Sequence, residues 1–279
     1  MIFFLEEKIY FIQVSKGNFT EEFRQLNLSE EIVEGMQKLA FQDEVETVEH
    51  SARGKIKGER KKDKKVEINW IERLTAAMLE NHFFIEKAKV LENGGIKEFR
   101  GEQRIFENLK EQYQAVFADL QCFPVGEDVT GQEQCFYDNS WYGERTYGGE
   151  RVHEGTDIMT SNNQRGYFPV YSMTDGVIEK MGWLKLGGWR IGIRAPSGGY
   201  FYYAHLHSYA EGLKDGDVVK AGQLIGYVGD SGYSKIEGTV GQFDVHLHVG
   251  IYIQDEVGQE ISVNPYWVLR FLENRKIRF

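Results

Sequence analysis

Hydrophobic positions in the first part of the chain follow a helical period. Apolar side chains recur at three- and four-residue spacing over residues 105–120, which predicts an amphipathic helix. A similar stripe covers residues 71–88 and is followed by Gly94-Gly95, a typical helix stop. Residues 20–22 (TEE) and 29–31 (SEE) each join a capping side chain to early acids, so both predict helix starts.

The pattern changes near residue 120. Residues 1–120 contain no proline and 7 glycines, whereas residues 121–279 contain all 4 prolines and 24 of the 31 glycines. Short β-prone segments then follow one another without helices between them, which favours antiparallel pairing. These segments are residues 176–178, 190–194, 200–204, 223–228 and 243–249. We therefore predict an α+β fold with two domains: a helical N-terminal region, 1–120, and a mostly antiparallel β-sheet domain, 121–279.

Composition excludes several classes of protein. With 279 residues, 41 % of them hydrophobic and 27 % charged, the chain is long and apolar enough to fold around a core. No run of about 18 apolar residues predicts a membrane span. The net charge of −10 argues against a nucleic-acid partner. Residues 53–65 carry 8 basic side chains, interpreted as a solvated linker, with contact to an anionic surface as the alternative.

The N-terminus and the cysteines bear on the compartment. The apolar residues 1–5 are interrupted by charged residues 6–8, so no signal peptide is predicted. This leaves open a processed form, a misplaced start or a cytoplasmic protein. Cys122 and Cys135 are the 2 cysteines, too few for a disulfide scaffold. They are expected to form a disulfide outside the cytoplasm, and two free thiols are the alternative.

The histidines form the clearest chemical pattern. Of the 7 histidines, 5 lie between residues 153 and 248, in three groups. These groups are His153-Glu-Gly-Thr-Asp157, His205-Leu-His207 and His246-Leu-His248. Fewer than one histidine pair with this two-residue spacing is expected by chance, and two are present. The other two histidines, His50 and His82, are predicted to be ordinary helix residues.

Strand geometry turns this spacing into a prediction about side-chain direction. Residues two apart on a strand point to the same face, so His246 and His248 should project side by side, with Asp244. Tyr203, His205 and His207 should be related in the same way. His153 and Asp157 are separated by Gly155, which disfavours a helix, so we place them on a turn entering a strand. Three histidine or carboxylate ligands with one open position are typical of catalytic zinc; packed or surface histidines are the alternative.

These motifs resemble the lysostaphin-type (LytM-like) zinc metalloendopeptidases, which hydrolyse peptidoglycan and have a fold like the duplicated hybrid motif. The resemblance covers roughly residues 122–270. It rests on five segments in the family's order: His153-x-Gly155-x-Asp157, Tyr203-x-His205-Leu206, the Gly216–Gly226 hairpin, His246-x-His248 and Asn264-Pro265.

The resemblance implies roles for these residues. His153, Asp157 and His248 would hold Zn²⁺, and His205 and His246 would form the catalytic pair. One of the pair would orient the water or accept its proton, and the other would stabilise the oxyanion; the sequence does not assign the two tasks. The implied substrates are peptidoglycan stem or cross-bridge peptides, and the implied location is extracytoplasmic. The resemblance does not extend to residues 1–120. Their apolar stripes need burial, so we expect these helices to pack against each other or against a protein partner, with a spacer or a cover over the active-site groove as the alternatives.

Two features depart from the family pattern. Residues 238–245 replace the usual compact turn and proline before the His246 motif, which implies an altered rim of the site. His207 is an additional histidine that competes with His205 for a role, and we favour His205 because its neighbours match the family segment. Aromatic residues on glycine-rich loops are interpreted either as groove walls or as packing under the loops: Trp141, Tyr142, Tyr147, Trp183 and Trp189.

Three alternative functions remain at this point. The first is a non-catalytic module of the same fold that binds wall peptides or a partner protein. The second is a lipoyl- or biotinyl-type carrier, suggested by the Gly216–Gly226 hairpin, although no acceptor lysine motif is evident. The third is a cytoplasmic zinc enzyme that acts on another class of substrate.

Overall fold

The computed structural model describes residues 20–53, 69–89, 91, 103–146, 149–255 and 257–279. The apolar start at 1–5, the basic residues 54–65, Gly94-Gly95 and Tyr147 lie outside these residues. The chain divides into two compact units between Tyr113 and Gln114. Within the described part, each helix is too short or too polar to cross a lipid bilayer.

Four helices precede the sheet among the described residues: α1 (Thr20–Gln25), α2 (Glu30–Arg53), α3 (Trp70–Glu80) and α4 (Gln103–Phe117). Both predicted helix starts are confirmed, since α1 begins at Thr20 and α2 directly after Ser29. The Ser29 hydroxyl accepts a hydrogen bond from the Ile32 amide at 3.3 Å. Asn69 caps α3 in the same manner, accepting from the Glu72 amide at 2.9 Å. These side chains satisfy amides that the first helical turn leaves unpaired.

The stripe over residues 71–88 does not form one helix as predicted. Helix α3 ends at Glu80, and the next turn holds His82 and Phe83 at φ 55° and 60°. These left-handed residues reverse the chain, and the Phe83 amide donates to the Met78 carbonyl at 2.8 Å. His82 therefore lies in a turn rather than in a helix. Phe83 and Ile85 are nevertheless buried. The spacing of apolar residues therefore predicted which side chains are buried, but not the backbone conformation.

The second unit is built on an antiparallel sheet, as predicted. Its strands in chain order are β1 (Cys135–Phe136), β2 (Glu144–Arg145), β3 (Arg151–Val152), β4 (Thr156–Thr160), β5 (Pro169–Tyr171), β6 (Gly176–Leu184), β7 (Gly188–Arg194), β8 (Tyr200–Tyr209), β9 (Val218–Val219), β10 (Leu224–Val228), β11 (His246–Gln254) and β12 (Glu260–Val263). The main path of the ten-stranded sheet runs β1-β4-β11-β8-β7-β6-β9, with β10 paired to β5 and β8, and β12 paired to β11. Strands β2 and β3 form a separate pair.

Strands β4, β11 and β8 lie side by side at the centre of this sheet. Their apolar side chains, such as Ile158, Phe201 and Leu247, are fully buried. Alternation along a strand then leaves the intervening side chains on the opposite face. Five predicted strands are confirmed, but the last begins at His246 rather than at residue 243. Residues 243–245 therefore precede the strand.

A further helix, α5 (Pro265–Leu272), follows the sheet and was not predicted. Asn264 caps it by accepting from the Tyr266 amide at 3.0 Å, and Pro265 occupies the first turn, where a missing N–H carries no penalty. Phe271 of α5 packs edge-on against Phe117 with ring centroids 5.8 Å apart. The Asn264-Pro265 segment is thus a helix start as well as a family motif.

The two cysteines are free thiols in the structure, so the expected disulfide is not present. The buried Cys122 thiol lies 3.1 Å from the Ser172 carbonyl oxygen, to which it donates. Burial raises the pKa of Cys122 to about 11 and that of Cys135 to about 12. Both thiols are therefore protonated at neutral pH and unreactive as nucleophiles.

Candidate functional site

Two adjacent strands place the predicted metal-binding residues together. In the β4–β11 ladder, Asp157 lies directly opposite His248. His153 lies in the short connection from β3 to β4. This is the predicted turn that enters a strand. His153 is buried, with 2 % of its surface exposed. His153 and His248, which are 95 positions apart in the chain, thus lie within hydrogen-bond distance of each other.

The three donor atoms form a nearly regular triangle. His153 Nε2 lies 3.0 Å from Asp157 Oδ1 and 3.0 Å from His248 Nδ1, and these last two atoms are also 3.0 Å apart. Donors around a tetrahedral zinc ion at about 2.0–2.1 Å lie about 3.3–3.4 Å from one another. Because the spacing and the donor types both match, this histidine–aspartate–histidine group fits a zinc ion.

Electrostatics favour an ionised Asp157 and a neutral His248. Burial opposes ionisation of Asp157, but hydrogen bonds from His153 and His248 outweigh it and hold the pKa of Asp157 well below its usual range. Burial lowers the pKa of His248, although the Asp157 charge partly opposes this effect. A carboxylate beside neutral imidazoles is the protonation state that a metal ion requires.

Arg145 and Ser140 complete the surroundings and were missed in the sequence. Arg145 Nη2 donates to Asp157 Oδ2 at 2.7 Å, which leaves Oδ1 for the donor triangle. The same Nη2 lies 2.9 Å from His153 Nδ1, and the Ser140 carbonyl lies 3.1 Å from that ring nitrogen. Ser140 accepts from Nδ1 in the tautomer that frees His153 Nε2 for a metal. Neither residue belongs to a recognisable motif, so only the fold reveals them.

His205 and His246 lie beside the donor triangle with matching orientations. His205 Nδ1 donates to the Ser231 carbonyl at 2.8 Å, and His246 Nδ1 donates to the Asp244 carbonyl at 2.7 Å. In the neutral form of each ring, Nε2 is then the nitrogen that can accept a proton. His246 Nε2 lies 3.8 Å from Asp157 Oδ1, and the two ring centroids are 4.8 Å apart. Burial, reinforced by the neighbouring histidines, lowers the pKa of His205 well below its ordinary value.

A bulge in β8 directs His205 toward the site. Three residues of β7, Trp189–Ile191, lie opposite four residues of β8, Tyr203–Leu206. His205 absorbs the extra residue with a left-handed φ of 62°, and such a bulge re-aims a side chain. The prediction that Tyr203, His205 and His207 share a face is therefore wrong. Tyr203 is fully buried, and its hydroxyl accepts from the Met173 amide.

His207 and Asp244 are placed away from the donor triangle. His207 is exposed and lies beside Gly166. Asp244 precedes β11, and its side chain accepts a hydrogen bond from Asn163 at 3.3 Å. The prediction that Asp244 shares a face with His246 and His248 is wrong, because the strand begins after it. Of the two candidates in the His205-Leu-His207 motif, only His205 approaches His246 and His248.

The triangle lies in a groove of about 770 Å³ whose walls carry several tyrosines. Its aromatic side chains in the described part of the chain are Tyr200, Tyr202, Tyr233 and Tyr252. The predicted aromatic walls are not among them: Trp183 and Trp189 pack edge-on against each other at 5.6 Å, and Trp141 is buried beside Tyr142. Packing under loops is thus the better interpretation for these residues.

The segment between β10 and β11 covers the two flanking histidines. The Phe243 ring centroid lies 4.6 Å from that of His205 and 5.0 Å from that of His246. Tyr233 packs against Phe243 at 4.7 Å and accepts a hydrogen bond from Arg151. This is the segment in which the sequence departs from the family pattern, so the departure changes the immediate surroundings of both rings.

Gly155 is required by the position of the His248 ring. A Cβ atom at residue 155 would lie 2.3 Å from His248 Cε1 and 2.7 Å from the Val249 carbonyl oxygen. We expect Gly155→Ala to displace His248, reduce bound zinc and lower the melting temperature by several degrees, a destabilisation of about 1–3 kcal/mol. Metal analysis with thermal unfolding tests this. A variant with unchanged zinc content would show that the ring tolerates the methyl group.

Comparison with known proteins agrees with the fold and the site. The profile of peptidase family M23 matches residues 151–265. The L-Ala--D-Glu endopeptidase of Bacillus subtilis (strain 168) is 47 % identical over 137 residues, which cover 49 % of this chain and 40 % of that protein. The glycyl-glycine endopeptidase ALE-1 of Staphylococcus capitis is 43 % identical over 84 residues, covering 29 % of this chain and 22 % of that protein. The chain thus spans less than half of these relatives' lengths.

A solved structure extends the similarity to the whole chain. The crystal structure of a lytM protein from Ruminococcus gnavus ATCC 29149 is 38 % identical with a TM-score of 0.76, and the match covers 97 % of this chain and 98 % of that one. The antiparallel sheet and the histidine–aspartate–histidine group together define a metallopeptidase-type domain. The chain belongs to peptidase family M23, the metallopeptidases of bacterial cell-wall peptidoglycan.

Proposed function

We propose that this protein is a zinc-dependent endopeptidase that hydrolyses peptide bonds in peptidoglycan stems or cross-bridges. One observation carries the proposal: three donor atoms 3.0 Å apart lie beside two histidines whose Nδ1 atoms are both held by backbone carbonyls. A purely structural metal site has no use for two further imidazoles with free Nε2 acceptors.

The residues divide into two groups by role. We assign zinc binding to His153, Asp157 and His248; when bound, the ion polarises the scissile carbonyl and activates a water molecule. We assign proton transfer to His205 and His246. Either Nε2 accepts the proton of the attacking water, and the resulting imidazolium donates to the oxyanion or to the leaving amine. Burial lowers the pKa of His205 and so favours its neutral form, which is the form that can accept a proton.

Location and domain assignment follow from this function. The substrate lies outside the cytoplasm, so we propose an extracytoplasmic site of action. We assign residues 121–279 as the peptidase domain, supported by the fact that each proposed site residue lies within it. Residues 1–120 contribute none of these groups, and we propose that they bind a protein partner.

The test combines zinc analysis with digestion of cross-linked peptidoglycan. We expect about one zinc ion per chain and release of peptide fragments that a chelator suppresses and added zinc restores. Synthetic D-amino-acid stem peptides and glycine-bridged peptides then identify the bond. If the zinc-loaded protein hydrolyses neither class, the proposal fails, and a wall-peptide binding module of the same fold takes its place.

A further inference from the structure

The groove beside the donor triangle is lined by four basic side chains, Arg145, Arg151, Lys180 and Arg190. Two of its cations already have partners, since Arg145 donates to Asp157 and Arg151 donates to the Tyr233 hydroxyl. The acid Glu260 lies 3.2 Å from Arg194, which is outside the groove lining. Arg190 also lines the groove, yet its Nη1 is buried without a hydrogen-bond partner among the described residues.

The strand register places Arg190 next to the catalytic histidines. On β7 it lies opposite the β8 bulge formed by Ala204 and His205. Burial raises the pKa of Tyr202, and the Arg190 charge opposes that rise. The Tyr202 ring in turn lies edge-on to His248, with centroids 6.0 Å apart. Arg190 is therefore about one side chain away from the donor triangle.

Two glycines near Arg190 make room for tyrosine hydroxyls of the groove wall. Gly192, two residues along the same face of β7, leaves space for the Tyr200 hydroxyl, which would lie 1.8 Å from a Cβ atom there. Gly187 leaves space for the Tyr202 hydroxyl in the same way, at 2.3 Å. Gly182, opposite Arg190 on β6, has nothing within 4 Å of where a side chain would begin.

An unpaired buried N–H on a charged group makes the resting position of Arg190 unfavourable. A ligand that draws the guanidinium toward the groove supplies the missing acceptor. A guanidinium binds planar oxygen anions with two parallel hydrogen bonds, so the matching ligand group is a carboxylate. A glycine bridge carries no side-chain carboxylate. A glutamate in a stem peptide has two carboxyl groups, and the one that is not used in the peptide bond stays free.

We propose that Arg190 is a specificity-determining residue that binds a free carboxylate of the substrate beside the scissile bond. This inference rests on the proposed function and makes it narrower, because it selects acidic stem peptides over neutral cross-bridges. The carboxylate lies on the residue next to the bond that is hydrolysed, since Arg190 faces the groove beside His205. Its recognition is distinct from metal binding, which uses other side chains.

The test compares two synthetic peptides that differ only at this carboxylate, one free and one a carboxamide. We expect wild-type protein to prefer the free acid, and Arg190→Gln to lower kcat/KM for the acid by about 30-fold or more with little change for the amide. Arg190→Lys should restore part of the preference, because it keeps the charge without the planar pair of donors. Zinc content should stay unchanged in both variants.

Lys180→Met provides the matched control, because Lys180 is an exposed cation that lines the same groove. We expect less than about threefold change there. Equal cleavage of acid and amide by the wild type, or an equal loss on both in Arg190→Gln, would overturn the inference. If zinc-loaded protein hydrolyses neither peptide, the proposed function fails, and calorimetric binding of the two peptides to wild type and Arg190→Gln decides the inference independently.

Discussion

Replacing His248 by alanine is expected to remove most of the bound zinc and to lower peptide hydrolysis by more than about 10²-fold. His248 Nδ1 is one corner of a triangle whose other corners belong to His153 and Asp157. Two remaining ligands hold the ion too weakly, and Asp157 loses one of the partners that keep it ionised. Zinc per chain, measured by mass spectrometry after exhaustive dialysis, is the readout, with activity measured on the same samples.

His207→Ala is the matched control for this experiment. It makes the same substitution at an exposed histidine of the neighbouring strand β8, outside the donor triangle. Zinc content and melting temperature should both stay at wild-type values. Full zinc occupancy in His248→Ala would remove that residue from the ligand set, and zinc loss in His207→Ala would mean that the wrong histidine had been excluded.

The proposed catalytic pair should show the opposite combination of effects. His205→Ala and His246→Ala are expected to retain zinc while turnover falls by about 10²–10⁴-fold, the usual cost of losing one positioned acid or base. His246 Nε2 lies 3.8 Å from Asp157 Oδ1 and the His205 ring centroid lies 5.9 Å from that of His248, but neither residue contributes a corner to the triangle. The measurement is kcat on a cross-linked wall peptide together with zinc content, for the two variants and for His207→Ala.

Different outcomes for this pair separate the roles. Loss of zinc in His246→Ala would make that residue a ligand, consistent with its 3.8 Å approach to Asp157, and would revise the assignment. Wild-type turnover in His205→Ala with a deficit in His207→Ala would exchange the roles of those two neighbours. A folded, zinc-loaded variant without activity supports the assignment made here.

The sequence was sufficient to predict the strand that carries His246 and His248. A spacing of two residues has one geometric meaning on a strand, and that geometry does not depend on distant contacts. The same reasoning failed at His205, because a bulge with a left-handed residue breaks the alternation. Alternation within one strand does not show how many residues its neighbour contributes to the ladder. The family segment around His205 nevertheless identified the correct histidine. A sequence motif marks the functional residue even when the backbone bulge that positions it is not predicted.

Other residues of the site could not be predicted from sequence patterns, for a different reason. Arg145 donates to Asp157 from a separate two-stranded ribbon. The unpaired N–H of Arg190 is a consequence of its burial in the groove. These properties arise from packing between segments that are remote in the chain. The prediction of one helix over residues 71–88 was wrong because of the local backbone. His82 and Phe83 adopt left-handed angles, which the sequence does not indicate because neither is glycine.

The two carbonyls that orient the His205 and His246 rings come from one segment, which connects β10 to β11. Ser231 lies near its start and Asp244 near its end, and Phe243 rests on both rings. The same piece of chain therefore forms the rim over both rings and fixes their tautomers. Exchanging this loop for that of a relative, in order to change substrate preference, also changes the proton-transfer machinery unless both carbonyl positions are carried over.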